Sequence, residues 1–162
     1  MIYTEANIGT LYRASLAEAR RALARLAIAG GREPSFQGLN GWVFEQAIRS
    51  YLQDELQARG VTLQVKEQVS LGGRTKVDLT VGQAAIEIKA GGIFGDEFEK
   101  YRRYRQRAEA SHLTYFYLTL QETHQPFRKA MLAAFGDANA FFLDDPGSWK
   151  AFVGAIAEAN AA

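Results

Sequence analysis

The stretch from Val77 to Gly92, VDLTVGQAAIEIKAGG, limits what this chain can fold into more than any other. Two segments of period two flank Gly82-Gln83, which reads as the two-residue loop of a hairpin. On the first, Val77, Leu79 and Val81 share one face, and Lys76, Asp78 and Thr80 share the other. On the second, Ile86 and Ile88 take the apolar face, and Ala85, Glu87 and Lys89 the opposite one. The tightest register pairs Val81 with Ala84, Leu79 with Ile86, and Asp78 directly with Glu87. Two carboxylates facing each other across a ladder repel, so a sheet avoids that pairing unless something lies between them.

The rest of the chain supplies elements to pack around this hairpin. Residues 8–29 carry Ile8, Leu11, Tyr12, Leu16, Leu23 and Leu26 on one helical stripe. GGREPSFQGLNG reads as a loop, and Asn40 as the cap of a second helix over about 41–59. VTLQVKEQVSL is a strand that turns back at Gly72-Gly73, so that with the hairpin it makes a three-stranded antiparallel meander. Asp96, with Glu99 three residues on, reads as a capping box opening a third helix. HLTYFYLTL has the length and composition of a buried strand, followed by a helix near 124–135. A short strand, AFFL, and a helix from Asp145-Pro146 complete the chain. The order predicts an α/β fold, a mixed sheet with helices on both faces. Its 162 residues suit one domain: an N-terminal helical extension (1–35), a core (40–120) and an α/β completion (121–162). Trp42 and Trp149 read as packing residues, and His112 and His124 as turn or capping residues.

The absence of cysteine excludes disulfides and thiolate metal sites, and two histidines exclude a histidine-rich one, so any metal here has oxygen ligands. The N-terminus lacks the basic and apolar regions of a signal peptide, and no run reaches membrane-spanning length, so a cytoplasmic protein without membrane contact is expected. A net charge of +1 neither demands nor excludes nucleic acid. Arginine clusters twice, at Arg13, Arg20, Arg21, Arg25 and Arg32 and again at Arg102, Arg103, Arg105 and Arg107.

A divalent cation turns the repulsion of Asp78 and Glu87 into attraction, and hard oxygen ligands suit magnesium. The backbone carbonyl of Ile88 can add another ligand. Lys89 lies on the same face as Glu87, about 7 Å along the strand, where an ammonium can act on an attacking water or a phosphoryl oxygen. Glu45 stands three and seven residues before Ile48 and Leu52, on the border of the inward stripe of its helix. The plain alternative is a solvated sheet face on which Lys76 and Lys89 neutralise the acids, with Glu45 reaching water. Phe98, Tyr101, Tyr104 and Ala108 most simply pack inward. Beside a metal site, the arginines around them suit phosphate contact.

Asp78-x8-Glu87-x-Lys89, with Glu45 upstream in GWVFEQAI, resembles the PD-(D/E)xK nuclease superfamily and its restriction-endonuclease-like fold. The element order from about 41 to 120 is similar to that family's core; Val77 stands where the motif's nominal proline falls. The resemblance implies that Asp78 and Glu87 bind Mg2+, with Mn2+ as a substitute, that Lys89 serves the attacking water, and that Glu45 is the helix carboxylate near the metal. The implied activity is phosphodiester hydrolysis of DNA by a small endonuclease, structure-specific or weakly sequence-specific. A homodimer suits cutting both strands, with the first and last helices as candidate interfaces. The alternative of another class is a non-catalytic nucleic-acid-binding or assembly module that retains the fold.

Overall fold

Strand pairing organises the molecule in the computed structural model, which describes residues 2–28, 36–91, 97–120 and 125–161. β1 (Val65–Ser70), β2 (Lys76–Val81), β3 (Ala84–Lys89), β4 (Thr114–Thr119) and β5 (Ala140–Phe142) lie side by side in chain order. β1, β2 and β3 are antiparallel, while β4 runs parallel to β3 and β5 parallel to β4. The helices are α1 (Glu5–Ile28), α2 (Phe36–Ala58), α3 (Phe98–Ala110), α4 (Gln125–Phe135) and α5 (Ser148–Ala159). α3 and α4 follow β3 and β4 as the crossovers that parallel pairing requires.

Both faces of the sheet are covered, which is why β3 and β4 are apolar almost throughout. Ile8, Phe44, Leu52, Trp149 and Phe152 of α1, α2 and α5 pack against Leu79, Ile86, Ile88 and Leu118. Tyr101, Phe127, Met131 and Phe135 of α3 and α4 pack against Ala85, Tyr115 and Tyr117 on the other side. Trp149 is buried as expected, but Trp42 is 59% exposed and Leu11 40% exposed. Trp42 shares a surface groove with Ser15 and Ala19 of α1.

The helix starts differ from expectation for identifiable reasons. α2 begins at Phe36, so Asn40 lies within it rather than at its cap. The Asn40 amide oxygen instead accepts from Arg20 Nη2 at 3.3 Å, and its backbone carbonyl from the Tyr12 hydroxyl at 3.4 Å. α5 starts at Ser148 behind Gly147, whose φ of +82° suits a residue without Cβ. Asp145, expected near the start of that helix, pairs with Arg128, and the free Trp149 N–H donates at 2.7 Å to the Glu5 carboxylate of α1. Asp96, Arg32 and His124 lie outside the described residues. His112 is a turn residue with φ +58°. Among the described residues no helix is long and apolar enough to cross a membrane.

The hairpin around Gly82-Gln83 adopts the tightest register, with Val81 opposite Ala84 and Leu79 opposite Ile86. The ladder stops there, one step short of pairing Asp78 with Glu87. Asn160, just past α5, holds the turn: its amide oxygen accepts from Gln83 N–H at 2.8 Å and its amide nitrogen donates to the Val81 carbonyl at 3.0 Å. Gly82 has φ +51°, and a Cβ there would run into that same Asn160 oxygen. Replacing Asn160 with Ala should therefore lower stability by about 1 kcal/mol, the usual net contribution of a hydrogen bond that water can partly replace. A urea midpoint equal to that of the parent would remove Asn160 from the contacts that hold the hairpin.

Candidate active site

β1 and β2 lose their pairing at a single step, between Glu67 opposite Leu79 and Val69 opposite Val77. The residues at that step are Gln68, with φ +48°, and Asp78. A left-handed residue other than glycine costs about 1–2 kcal/mol, so the surroundings must impose it. The break turns β2 over. Val77 packs with the α3–α4 cluster, whereas Leu79 and Val81 pack with the α1–α2–α5 cluster. The expectation that all three share a face fails because a simple period of two does not survive this kink. Thr80, expected on a polar face, is buried because both sides of the sheet are covered.

Freed from the ladder, the Asp78 carboxylate turns into the gap between β2 and β3, where Oδ2 accepts the Ile88 N–H at 2.8 Å. The Lys89 carbonyl accepts from Leu120 on the β4 side, so the Ile88 peptide groups point to the β2 side, toward Asp78. A cleft of about 780 Å³ opens here, off the carboxyl ends of β3 and β4. Its walls include Asp78, Ile88, Lys89 and Ala90 of the sheet, Glu45, Gly41, Gly38 and Asn40 of α2, Tyr12 of α1, and Glu97 before α3. Crevices at strand carboxyl ends are the common ligand sites of open α/β sheets.

Glu87 lies beneath this cleft rather than on its wall, with 2% of its surface exposed. Its Oε1 meets Lys89 Nζ at 2.9 Å, and its Oε2 is buried without a hydrogen-bond partner. Burial, reinforced by the negative charge of Asp78, pushes its carboxyl up to about 7. For Lys89, burial works against the ammonium, but Glu87 and Asp78 together outweigh it and raise its pKa. The ion pair and the raised carboxyl pull in opposite directions; the upward direction for Glu87 stands, since Lys89 reaches one of its oxygens and leaves the other dry. Burial also raises the pKa of Glu45, against the hydrogen bond from Gln68. Gln68 Nε2 is 2.9 Å from Glu45 Oε1 and 3.5 Å from Asp78 Oδ1, a neutral donor set between two acids.

Glu45, Asp78, Glu87 and Lys89 are thus brought together from α2, β2 and β3. The arginines of α3 are not. Arg102 pairs with Glu99 at 3.0 Å. Arg105 pairs with Glu109 at 2.7 Å, donates to the Ala134 carbonyl at 2.8 Å and lies over Phe135. Arg107 stands beside the turn glycines Gly72 and Gly73, and Arg103 is exposed. Among the described residues none of these four lines the cleft. Sequence reasoning missed Tyr12, Gln68 and Glu97. Only the glycines three residues apart in α2, Gly38 and Gly41, signalled a helix face kept bare. Comparison with protein-family models, curated proteins and solved structures finds no match to this chain.

The raised carboxyl of Glu87 has a thermodynamic consequence. Between pH 4.5 and about 7 the folded protein holds a proton there that the unfolded chain has released, so stability is fully present below that window and falls as pH rises through it. At one pKa unit per 1.36 kcal/mol the fall is up to about 3 kcal/mol, and Glu45 adds to it in the same sense. Urea unfolding of the metal-free protein and of Glu87→Gln across pH 4–8 should show the parent losing stability on the alkaline side and the variant losing much less. Parallel curves would place Glu87 in a solvated environment.

Proposed function

We propose that this protein is a metal-dependent nuclease of the PD-(D/E)xK type that hydrolyses phosphodiester bonds in DNA. One observation carries the reading: a single open cleft gathers Glu45, Asp78 and Lys89 on its walls and Glu87 just beneath, with one Glu87 oxygen buried and unpartnered. A buried polar atom without a partner costs about 1–3 kcal/mol, and a sheet has no structural use for two acids and a half-buried lysine at the point where its ladder opens.

The donor set suits a small hard cation. Asp78, Glu87 and the Ile88 carbonyl are oxygen donors on the two sides of one gap, and Mg2+ binds through one or two carboxylates while keeping several waters. A bound Mg2+ would lower the pKa of a water and stabilise charge on phosphoryl oxygens.

The chain's own residues divide the remaining work. Lys89 holds an ammonium at the cleft wall, anchored on Glu87 and kept charged by it, so its field acts on negative charge developing at the phosphorus. Glu45, raised by burial and held by Gln68, can accept or return a proton at an attacking water. Asp78 is oriented by the Ile88 N–H, which leaves Oδ1 facing Gln68 and the cleft. The bare faces of Gly38 and Gly41 leave room for a sugar-phosphate backbone against α2; a Cβ on Gly41 would meet only open space.

Two measurements test this reading. Magnesium or manganese should stabilise the parent by mass action, by about 2.7 kcal/mol at a hundredfold excess over Kd, and so raise its melting temperature, and Asp78→Ala should abolish the rise. No metal-dependent shift at millimolar concentrations counts against the site. Lys89→Met keeps the length and apolar stem and removes only the charge. It should bind DNA nearly as well as the parent yet cleave at least about a hundredfold more slowly in single turnover. A parent that binds DNA and metal without cleaving would favour the non-catalytic module.

A further inference from the structure

One polar group on the cleft wall has no role in the chemistry above. Asn40 lines the cleft with Gly38 and Gly41 and is half-buried there. Two contacts from α1 already use its oxygens. Arg20 Nη2 donates to Oδ1 at 3.3 Å, and the Tyr12 hydroxyl donates to the backbone carbonyl at 3.4 Å. A guanidinium is a donor only, so this contact fixes which end of the amide is oxygen. Arg20 is held by a further contact as well, so its side chain does not swing freely. The other end of the amide, Nδ2, carries two N–H groups, and among the described residues neither meets an acceptor.

Helix geometry sets the distance of this donor from the acids. Asn40 precedes Glu45 by five residues, about 7.5 Å along the axis of α2. Gly41 lies between them, where a Cβ would meet only open space. Tyr12 is buried with its ring edge-on to Phe44 at 5.1 Å, which fixes the α1 side of this corner. On the cleft wall Glu45, Asp78 and Glu97 outnumber Lys89. A neutral donor at Asn40 therefore offers a polyanion a contact on a wall whose charges mostly repel it.

Resting on the nuclease reading, we infer that Asn40 is a substrate-binding residue of this cleft: its Nδ2 donates to a phosphate oxygen flanking the bond that is cut. Arg20 is the positioning residue that holds the amide nitrogen free for that contact. With Oδ1 taken, Asn40 is barred from the two-point contact to adenine that a free asparagine makes. The contact therefore positions the strand and carries no base preference. Arg20 acts through the amide and not on a phosphate, so its charge adds nothing to the salt dependence of binding.

Full-length protein titrated in EDTA with a labelled mixed-sequence DNA over a salt series, and single-turnover cleavage with magnesium, test this. Asn40→Ala should weaken DNA binding about tenfold, the scale of one hydrogen bond to a charged acceptor, while bound DNA is cut within about threefold of the parental rate. Asn40→Asp keeps the shape and the Arg20 contact but turns the donor into an acceptor, so it should weaken binding further and serves if the alanine variant is unstable. Arg20→Ala should weaken binding in the parent, have no effect in the Asn40→Ala background, and leave the slope of log affinity against log salt unchanged. Parental affinity in either Asn40 variant overturns the proposal. An Arg20→Ala loss that persists without Asn40, or that flattens the slope by about 0.9, overturns the positioning role. If the parent cleaves with magnesium while the Asn40 variants bind as it does, this inference fails and the nuclease reading stands. If the parent neither binds nor cleaves DNA, both fail together.

Discussion

A carboxylate under a closed sheet surface can be kept only if something nearby answers its charge. Glu87 is that carboxylate, and Lys89 supplies the answer at 2.9 Å while leaving one oxygen without a partner. The arrangement is unstable against protonation, which is why the Glu87 carboxyl is raised to about 7. It also holds the lysine in place, since Glu87 and Asp78 together keep the Lys89 ammonium charged despite its burial. Each group therefore sets the protonation of the other. The two residues are neighbours on one face because they are two apart on a strand, and the strand is interior because a parallel β4 lies on one side of it and an antiparallel β2 on the other.

The opening of the sheet at Asp78 gives the pair access to solvent. Had the β2–β3 ladder run one step further, Asp78 would face Glu87 across a closed pair, with both acids sealed between strands. Instead the Asp78 side chain takes the Ile88 N–H that the ladder would have used, and β2 turns over opposite a left-handed Gln68. One backbone donor is satisfied either way. What changes is that a gap appears at the carboxyl ends of β3 and β4, and α2 closes its other side with Glu45.

The placement of the α3 arginines follows from the same packing. α3 crosses over the sheet between β3 and β4 and packs Tyr101 and Ala108 inward, which leaves its arginines near the C-terminus of α4 and the β1–β2 turn. α1 lies against α2, and its flank reaches the residues that begin that helix beside the cleft.

The hairpin register, the α/β element order and the E-x-K spacing were legible because each rests on local rules: side-chain alternation, a glycine at positive φ in a two-residue turn, and neighbours two apart on one face. The buried run of β4 and the inward tyrosine of α3 followed from the same rules. Elsewhere the chain decided at long range. Asn40 looked like a cap because asparagine caps helices, but α1 supplied Arg20 and Tyr12 as partners that the local sequence could not announce. Trp42 looked like core because tryptophan is large and apolar, yet it stands exposed at a surface groove between α2 and Ser15 and Ala19 of α1. The break at Gln68 and Asp78, the burial of Glu87 beneath the cleft and the approach of Glu45 all depend on which elements meet across 10 to 23 residues of chain or more. Local chemistry set which residues could share a strand or a helix face; only the packing of α2 over the opened end of the sheet put three acids and a lysine around one gap, because burial and mutual charge are properties of neighbours in space and not in sequence.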